Sequence, residues 1–312
     1  MHTAAQGNLP LCGWRGYIIK RKVNYFEMKE FITNILRGMV VGIANVIPGV
    51  SGGTMMVSMG IYDKLILVLT HFVKRMKEAI ALLVPILIGM LLSIAIFAKI
   101  FSEVLFPKFP LQTNLFFIGL ILGGVPVIYG KIKGNSIRLP QIIAFVLFFV
   151  MVVGFALIGE GGGSSADITF SVANVVKLFG VGIIAAATMV IPGVSGSMIM
   201  MILGYYNTII DTINALINAL KDFDIAAILD TFVVLVPFGF GVVVGIVAVA
   251  KFIEFMLKKF PLVTYWAIIG LIVASPFAIL IMMEVGSIGV IEIITGVILL
   301  AAGFFISMKL GA

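Results

Sequence analysis

Reactive and metal-binding side chains are scarce in this sequence. Its 312 residues include one cysteine, Cys12, and two histidines, His2 and His71. A lone cysteine cannot form an intramolecular disulfide, and so few side chains do not compose a zinc site. The G-x-x-x-x-G-K-[ST] pattern of ATP-binding loops is also missing. Redox, zinc and direct ATP chemistry are therefore unsupported, and we expect no cofactor and no metal.

Charge is equally sparse. Only 11% of the residues are charged, whereas 62% are hydrophobic and the mean hydropathy is +1.23. The net charge of +7 would suit a nucleic-acid partner, but the basic residues are scattered between apolar stretches and do not cluster on one face. A soluble core could not hide this much apolar surface. The composition indicates a protein embedded among membrane lipids, with no nucleic-acid partner.

Long uncharged stretches support this interpretation. A helix needs roughly 20 apolar residues to cross a hydrocarbon core about 30 Å thick. Five stretches come close to or exceed that length, and a sixth is shorter but extends towards Glu292 at the membrane interface. The stretches are 79–98, 109–130, 139–159, 231–250, 260–283 and the shorter 293–308. The sequence predicts an all-α polytopic membrane protein.

The chain is also duplicated. A shift of 144 residues places the seven residues 46–52 on the identical residues 190–196. The match continues with Gly60 on Gly204 and Tyr62 on Tyr206. After a small insertion, the segment 108–110 meets 259–261. A repeat of about half the chain is typical of transporter folds and is too long for a solenoid.

Each repeat carries Pro-Gly-Val-Ser-Gly inside an apolar segment. In the second half, 33 uncharged residues run over 178–210, and a straight helix of that length would measure roughly 50 Å. Proline lacks a backbone donor and the Pro-Gly pair favours a break. We therefore predict two short helices that meet at a turn inside the membrane. The first half should form the same re-entrant hairpin around 38–62, with two legs that are each too short to span.

Hairpins that return to their starting side leave three full crossings in each half, and the two halves are then inverted repeats. This topology places 17 of the 21 Lys and Arg residues in the cytoplasm, as the positive-inside rule requires. The four on the outside are Lys99, Lys108, Lys177 and Lys221. The alternative lets each motif segment cross once, which gives parallel repeats and scatters the basic loops over both faces.

The predicted organisation begins with a cytoplasmic N-terminal tail, 1–27. Repeat one, 28–159, contains a hairpin, 31–70, and the helices 79–98, 109–130 and 139–159. Repeat two, 160–312, contains a hairpin, 171–219, and the helices 225–250, 260–283 and 288–308. Both termini are cytoplasmic in this arrangement.

A break inside the bilayer exposes backbone groups that lipid cannot satisfy, so it must be buried in protein or line a polar cavity. Over 48–54 the glycines allow close backbone approach, while Ser51 and Thr54 offer hydroxyl groups. Amides at the start of the following helix attract an anion such as phosphate. Arg37 either supplies charge to that anion or anchors a helix end in the interface. The structural alternative is that the glycines only pack helices at hairpin corners.

The segment 49–53 also fits the short G-x-S-x-G pattern of a hydrolase nucleophile elbow. An elbow needs a preceding strand and a histidine partner. This segment is apolar and helical in pattern, and its copy at 193–197 ends in serine. We therefore expect a transporter and not an enzyme.

The sequences GIANVIPGVSGGT at 42–54 and GIYDKLI at 60–66 resemble the PopT-type bacterial polyprenyl-phosphate translocases. The resemblance covers the chain from about residue 30 to the C-terminus. It implies a multi-pass protein of the bacterial plasma membrane. Such a protein returns undecaprenyl phosphate, the lipid carrier of cell-wall synthesis, from the outer to the inner leaflet.

Together with the hairpins, the resemblance implies alternating access, with the lipid phosphate between the two hairpin tips and the prenyl tail in lipid. The second motif has Ser197 and Met198 where the first has Gly53 and Thr54, so the first is better equipped. The expected substrate-binding residues are Arg37, Asn45, Pro48, Gly49, Ser51, Gly52, Gly53, Thr54, Pro192, Gly193, Ser195, Gly196 and Ser197.

Two other transport functions stay open at this point. A secondary transporter of a small soluble anion, such as phosphate or a carboxylate, would use the same hairpins but enclose its substrate away from lipid. A channel with paired re-entrant loops would need a pore lined by carbonyls or rings of charge, and the sequence has no filter signature.

Overall fold

The computed structural model of the protein describes residues 11–46, 51–158, 171–283 and 288–311. Regular secondary structure in these ranges is helical throughout, as expected where backbone polar groups must be satisfied inside a bilayer. The first half contains α1 (Leu11–Val46), α2 (Gly52–Ser58), α3 (Tyr62–Thr70), α4 (Met76–Ile100), a π-helix (Phe101–Leu105), α5 (Phe106–Lys108), α6 (Pro110–Ile132) and α7 (Leu139–Ile158). The second half contains α8 (Val172–Val190), α9 (Gly196–Ile202), α10 (Tyr206–Asp222), α11 (Ile225–Lys259), α12 (Pro261–Met282) and α13 (Val290–Gly311).

Seven of the described helices are long and apolar enough to cross a membrane, namely α4, α6, α7, α8, α11, α12 and α13. Helices α2 and α3 pass the same test only as a pair, which is bent by 116°, and counting this pair as one span raises the number to eight. Many large apolar side chains on the long helices, such as Leu91, Leu147 and Phe305, are mostly exposed, as contact with lipid requires. The chain is a multi-pass all-α membrane protein, as the sequence predicted.

The duplication is visible in the backbone. Helices α2 and α9 are both seven residues long and both follow the Pro-Gly break. Each leads into a turn whose glycine has a positive φ, 70° at Gly60 and 77° at Gly204, a conformation that disfavours any side chain. The next helix starts at Tyr62 in one half and at Tyr206 in the other. The sequence repeat is therefore a repeat of local structure.

Helix packing follows the duplication as well. In each half the helix before the break packs against the long helix after the hairpin, α1 against α4 and α8 against α11. A Cβ added to Gly38 would lie 2.2 Å from the carbonyl oxygen of Ile86, and one added to Gly182 would lie 2.2 Å from that of Phe238. These glycines therefore let the helix backbones touch.

Contacts between the halves are reciprocal. Helix α6 of the first half packs against α13 of the second, α12 of the second packs against α7 of the first, and α6 and α12 contact each other. Such an exchange is expected when two halves are related by an approximate two-fold axis. The inversion of the halves and the re-entrant path of the hairpins stay predictions.

Several helices extend beyond the apolar stretches that predicted them. Helix α4 starts at Met76 and continues through the π-helix and α5 to Lys108, and α11 continues past residue 250 to Lys259. Charged side chains near helix ends can reach the membrane interface while the backbone stays helical, so a count of uncharged residues underestimates helix length.

The hairpin legs are also longer than expected. Helix α1 begins at Leu11, so residues 11–27, which were predicted as a tail, continue the first leg as helix. Helix α8 has 19 residues and measures about 28 Å, close to the thickness of the hydrocarbon core, and it is long and apolar enough to count as a candidate span. The start of α8 at Val172 agrees with the predicted hairpin 171–219, but the helix is longer than the short one expected there.

Candidate functional site

The two Pro-Gly-Val-Ser-Gly motifs meet in the structure. The backbone N–H of Gly193 donates a hydrogen bond of 2.6 Å to Oγ1 of Thr54, which is fully buried. A Cβ added to Gly53 would lie 3.3 Å from the carbonyl oxygen of Met189 and 3.4 Å from the Cα of Pro192. We call this contact between residues 51–54 and 192–197 the tip junction. It joins residues that are far apart in sequence, as expected from the duplication.

On the first side of the tip junction, Ser51 occupies the N-cap of α2 with extended backbone angles, but its hydroxyl does not cap the helix. The side chain of Asn45 does so instead, because its Oδ1 accepts a 3.1 Å hydrogen bond from the Gly52 amide. The next two backbone N–H groups of the first turn, those of Gly53 and Thr54, have no intrahelical acceptor. This side therefore offers the Ser51 hydroxyl and backbone N–H groups to a ligand. Pro48 and Gly49 lie outside the described residues.

On the second side, Ser195 holds the N-cap of α9, and its hydroxyl lies 2.9 Å from that of Ser197. Gly193 has a φ of 81°, and a Cβ there would lie 2.8 Å from the carbonyl oxygen of Leu271. Glycine is therefore required at this position. Gly196 lies close to Thr188, whose Oγ1 would be 3.1 Å from a Cβ at the glycine. The two hydroxyls of this side are paired with each other, so the second motif is less available than the first.

A second bond between the halves lies beside the tip junction. The buried hydroxyl of Tyr62 donates a 3.0 Å hydrogen bond to the carbonyl oxygen of Val190, the last residue of α8. Tyr206, its copy in the second half, is only partly buried and makes no hydrogen bond among the described residues. The repeat in the sequence aligns these two tyrosines but gives no signal that one of them joins the halves.

Arg37 has its hydrogen-bond partners outside the tip junction. Its guanidinium donates to the carbonyl oxygen of Leu310, at 2.8 Å from Nη2 and 3.3 Å from Nε, and to Oδ1 of Asn34 at 3.2 Å. Leu310 belongs to the last turn of α13, where carbonyl groups lack intrahelical donors. A cation at that end also interacts favourably with the helix dipole. Arg37 thus fastens α13 to the first hairpin leg.

Asp63 forms a further link that the sequence did not reveal. Its carboxylate is paired with Lys131 of α6 and accepts a 2.9 Å hydrogen bond from the Tyr265 hydroxyl of α12. The Lys131 ammonium also lies 5.4 Å from the centre of the Tyr265 ring. These contacts hold α3 against the central helices of both halves.

The tip junction is polar but uncharged where it is described. Its hydrogen bonds join hydroxyl, amide and carbonyl groups, and none of them uses a charged side chain. Ser51, Thr54 and Ser195 are buried, whereas Asn45 is exposed. Neutral donors buried in this way can bind an anion through hydrogen bonds, which are stronger to a charged acceptor than to a neutral one. The geometry supports anion recognition and offers no nucleophile paired with a base.

Comparisons with known proteins identify a family. Residues 41–292 match the undecaprenyl phosphate translocase-like family. The polyprenyl-phosphate transporter of Staphylococcus aureus is 29% identical over 282 residues, which cover 89% of this chain and 95% of that protein. The polyprenyl-phosphate transporter of Vibrio cholerae serotype O1 is 26% identical over 265 residues, or 79% of this chain and 76% of that protein. No solved structure shows a significant match. On this evidence the chain belongs to the undecaprenyl phosphate translocase-like family.

Proposed function

We propose that this protein flips polyprenyl phosphate, in particular undecaprenyl phosphate, from the outer to the inner leaflet of the bacterial plasma membrane, with both termini in the cytoplasm. Membership of a translocase family and two relatives named polyprenyl-phosphate transporters support the substrate, and they favour a transporter over an enzyme. The observation that carries the mechanism is the hydrogen bond between Thr54 and Gly193. It joins two copies of one motif at the point where an anion would be held.

The proposed phosphate site is the tip junction itself. Its first side contributes Asn45, Ser51, the Thr54 hydroxyl and the amides of Gly53 and Thr54, while Gly52, whose amide is bonded to Asn45, starts the helix. Its second side contributes Ser195, Gly196 and Ser197. Pro192 and Gly193 shape the second turn, and we assign Pro48 and Gly49 to the site as the first motif's copies of these residues in the sequence. Because α2 and α9 have only seven residues each, the attraction comes from nearby N–H and O–H groups and not from a long helix dipole. Hydrogen bonds to a charged partner contribute about 1.5–3 kcal/mol each.

The closed junction also supplies a gate. While Thr54 Oγ1 accepts the hydrogen bond from Gly193, the two tips touch and leave no room for a phosphate between them. Separation of the tips frees one N–H and one hydroxyl, and a bound phosphate can replace the lost bond. Alternating access follows if the tips part towards one leaflet at a time while the prenyl tail stays in lipid. We assign Arg37 to the support of α13 and not to the phosphate, because its guanidinium is engaged by Leu310 and Asn34.

A phosphatase-protection assay tests this proposal. The full-length protein is reconstituted in liposomes that contain labelled polyprenyl phosphate, and a soluble phosphatase added outside cleaves whatever reaches the outer leaflet. The wild type should expose the lumenal pool with time. Thr54→Val loses a neutral hydrogen bond of about 0.5–1.5 kcal/mol in the closed state but a bond to charged phosphate of about 1.5–3 kcal/mol in the bound state, so it should slow that exposure by up to about tenfold. Thr212→Val is the matched control, because Thr212 is buried but bonds within its own helix.

Two results would count against the proposal. If Thr54→Val and the double variant Ser51→Ala with Ser195→Ala both flip the lipid at the wild-type rate, the tip junction is not the site. If the wild type leaves the lumenal lipid protected but releases trapped inorganic phosphate, the protein carries a soluble anion instead.

A further inference from the structure

A cavity of about 590 Å³ opens between α6, α13 and the end of the α4–α5 helical segment. Its inner wall is apolar and includes Phe101, Leu105, Phe116 and Leu299. The volume lies within the range of roughly 300–1,000 Å³ that is usual for small-molecule sites. It suits one hydrocarbon chain and a head group better than a whole two-chain lipid.

The π-helix forms part of this wall, and a comparison of the two halves explains its origin. Pro85 and Pro237 occupy equivalent positions in the two halves. Each comes one residue before the residue whose backbone contacts the packing glycine of the preceding helix, Ile86 in the first half and Phe238 in the second. From Pro85 to Lys108 the chain advances 23 residues, but from Pro237 to Lys259 it advances 22. One extra residue in a helix is accommodated by a π-turn, whereas α11 is continuous α-helix over the same stretch. The widened wall is therefore a feature of the first half.

Two opposite charges line the cavity. Lys108 lies in the last turn of α5 and Glu292 in the first turn of α13. Neither side chain has an ion-pair or hydrogen-bond partner among the described residues. Between them, Nε2 of Gln112 donates a 3.3 Å hydrogen bond to Oγ1 of Thr295 and ties α6 to α13. Unpaired charges beside an apolar cavity favour a ligand that carries complementary charges.

The cavity lies at head-group level. The helical segment from Met76 to Lys108 has 33 residues and is about 50 Å long, longer than a hydrocarbon core of about 30 Å. Lys108 thus lies at the membrane interface opposite to the loop 71–75. Both charges are at helix ends there, beside a wall that continues into the apolar region.

We propose that this cavity binds a zwitterionic glycerophospholipid, with its phosphate on Lys108, its ammonium group on Glu292 and one acyl chain along the apolar wall. The occupant follows from charge complementarity, because the lining carries one cation and one anion. A purely anionic head group would be attracted by Lys108 but repelled by the negative charge of Glu292. The site is distinct from the tip junction and stands independently of the proposed transport.

Native mass spectrometry of the full-length protein tests the site. The protein is exposed to equal amounts of phosphatidylethanolamine and phosphatidylglycerol with identical acyl chains, and the retained lipids are compared. The wild type should retain phosphatidylethanolamine in preference, by about tenfold, because only this lipid has an ammonium group to contact Glu292. Glu292→Lys should reverse the preference. Lys108→Glu should lower the retention of both lipids, because both carry the phosphate, and the double swap Lys108→Glu with Glu292→Lys should restore both the retention and the preference for phosphatidylethanolamine.

Two further variants keep the test decisive. Lys108→Gln and Glu292→Gln remove single charges with little change of size and serve where a charge reversal fails to fold. Glu292→Gln should weaken the preference, whereas Lys108→Gln should lower the retention of both lipids. Glu78→Lys, which alters an exposed residue at the opposite interface, should leave the preference unchanged. The proposal is overturned if the wild type retains the two lipids equally, if it prefers phosphatidylglycerol, or if Glu292→Lys and Glu292→Gln leave the ratio as it was.

Discussion

Replacing Tyr62 by Phe removes one hydroxyl from the contact between the hairpins and leaves the ring in place. The lost bond is the 3.0 Å hydrogen bond to the Val190 carbonyl. A neutral hydrogen bond contributes about 0.5–1.5 kcal/mol net. If it forms only while the tips are closed, its loss raises the ratio of open to closed protein by roughly two- to twelvefold.

Cysteine labelling measures this ratio. In a background with Cys12→Ala, a cysteine at the partly buried position Ser197 reports opening through its rate of reaction with a water-soluble maleimide. Tyr62→Phe should accelerate the reaction roughly two- to twelvefold. Tyr206→Phe, the same change at the matched position, should have no effect, because that hydroxyl has no partner among the described residues. An unchanged rate in Tyr62→Phe, or equal acceleration in both variants, would refute the assignment of Tyr62 to the gate.

Two further predictions concern stability. Arg37→Ala should lower the thermal unfolding temperature of the purified protein, since the Leu310 carbonyl of α13 loses its donor. Arg37→Lys should have an unfolding temperature between those of the wild type and Arg37→Ala. Equal unfolding temperatures of the wild type and both variants would contradict this role. Gly182→Ala should destabilise by about 1–3 kcal/mol, as overpacking does, because its Cβ would meet the Phe238 carbonyl at 2.2 Å. Gly180→Ala is the control, since nothing lies within 4 Å of its Cβ, and a similar loss in both variants would show that close packing is not the cause.

Local signals in the sequence predicted the elements of the fold. The Pro-Gly pairs marked both breaks, because proline and glycine act on the backbone at their own positions. The length of the uncharged stretches predicted the crossing helices. Helix ends were less accurate, as α4 and α11 show, because a few charged residues can continue a membrane helix into the interface.

The contacts between elements could not be predicted from one sequence. The duplication suggested that the two motifs converge, but the pairing of Thr54 with Gly193 depends on how α2 approaches α8. Arg37 was interpreted as a phosphate ligand or an interfacial anchor, yet its partner Leu310 lies at the other end of the chain. The π-helix did have a signal in the unequal spacing after Pro85 and Pro237, which becomes clear once the packing glycines align the two halves.

We propose that the two tips hold the lipid phosphate between them. The most direct measurement is an electron cryo-microscopy structure of the protein bound to polyprenyl phosphate. The account predicts that Thr54 and Gly193 separate and that phosphate density lies about 2.7–3.2 Å from donors on both sides, including the hydroxyls of Ser51 and Ser195. Head-group density at Arg37 or Lys108, with the bond between Thr54 and Gly193 intact, would contradict it.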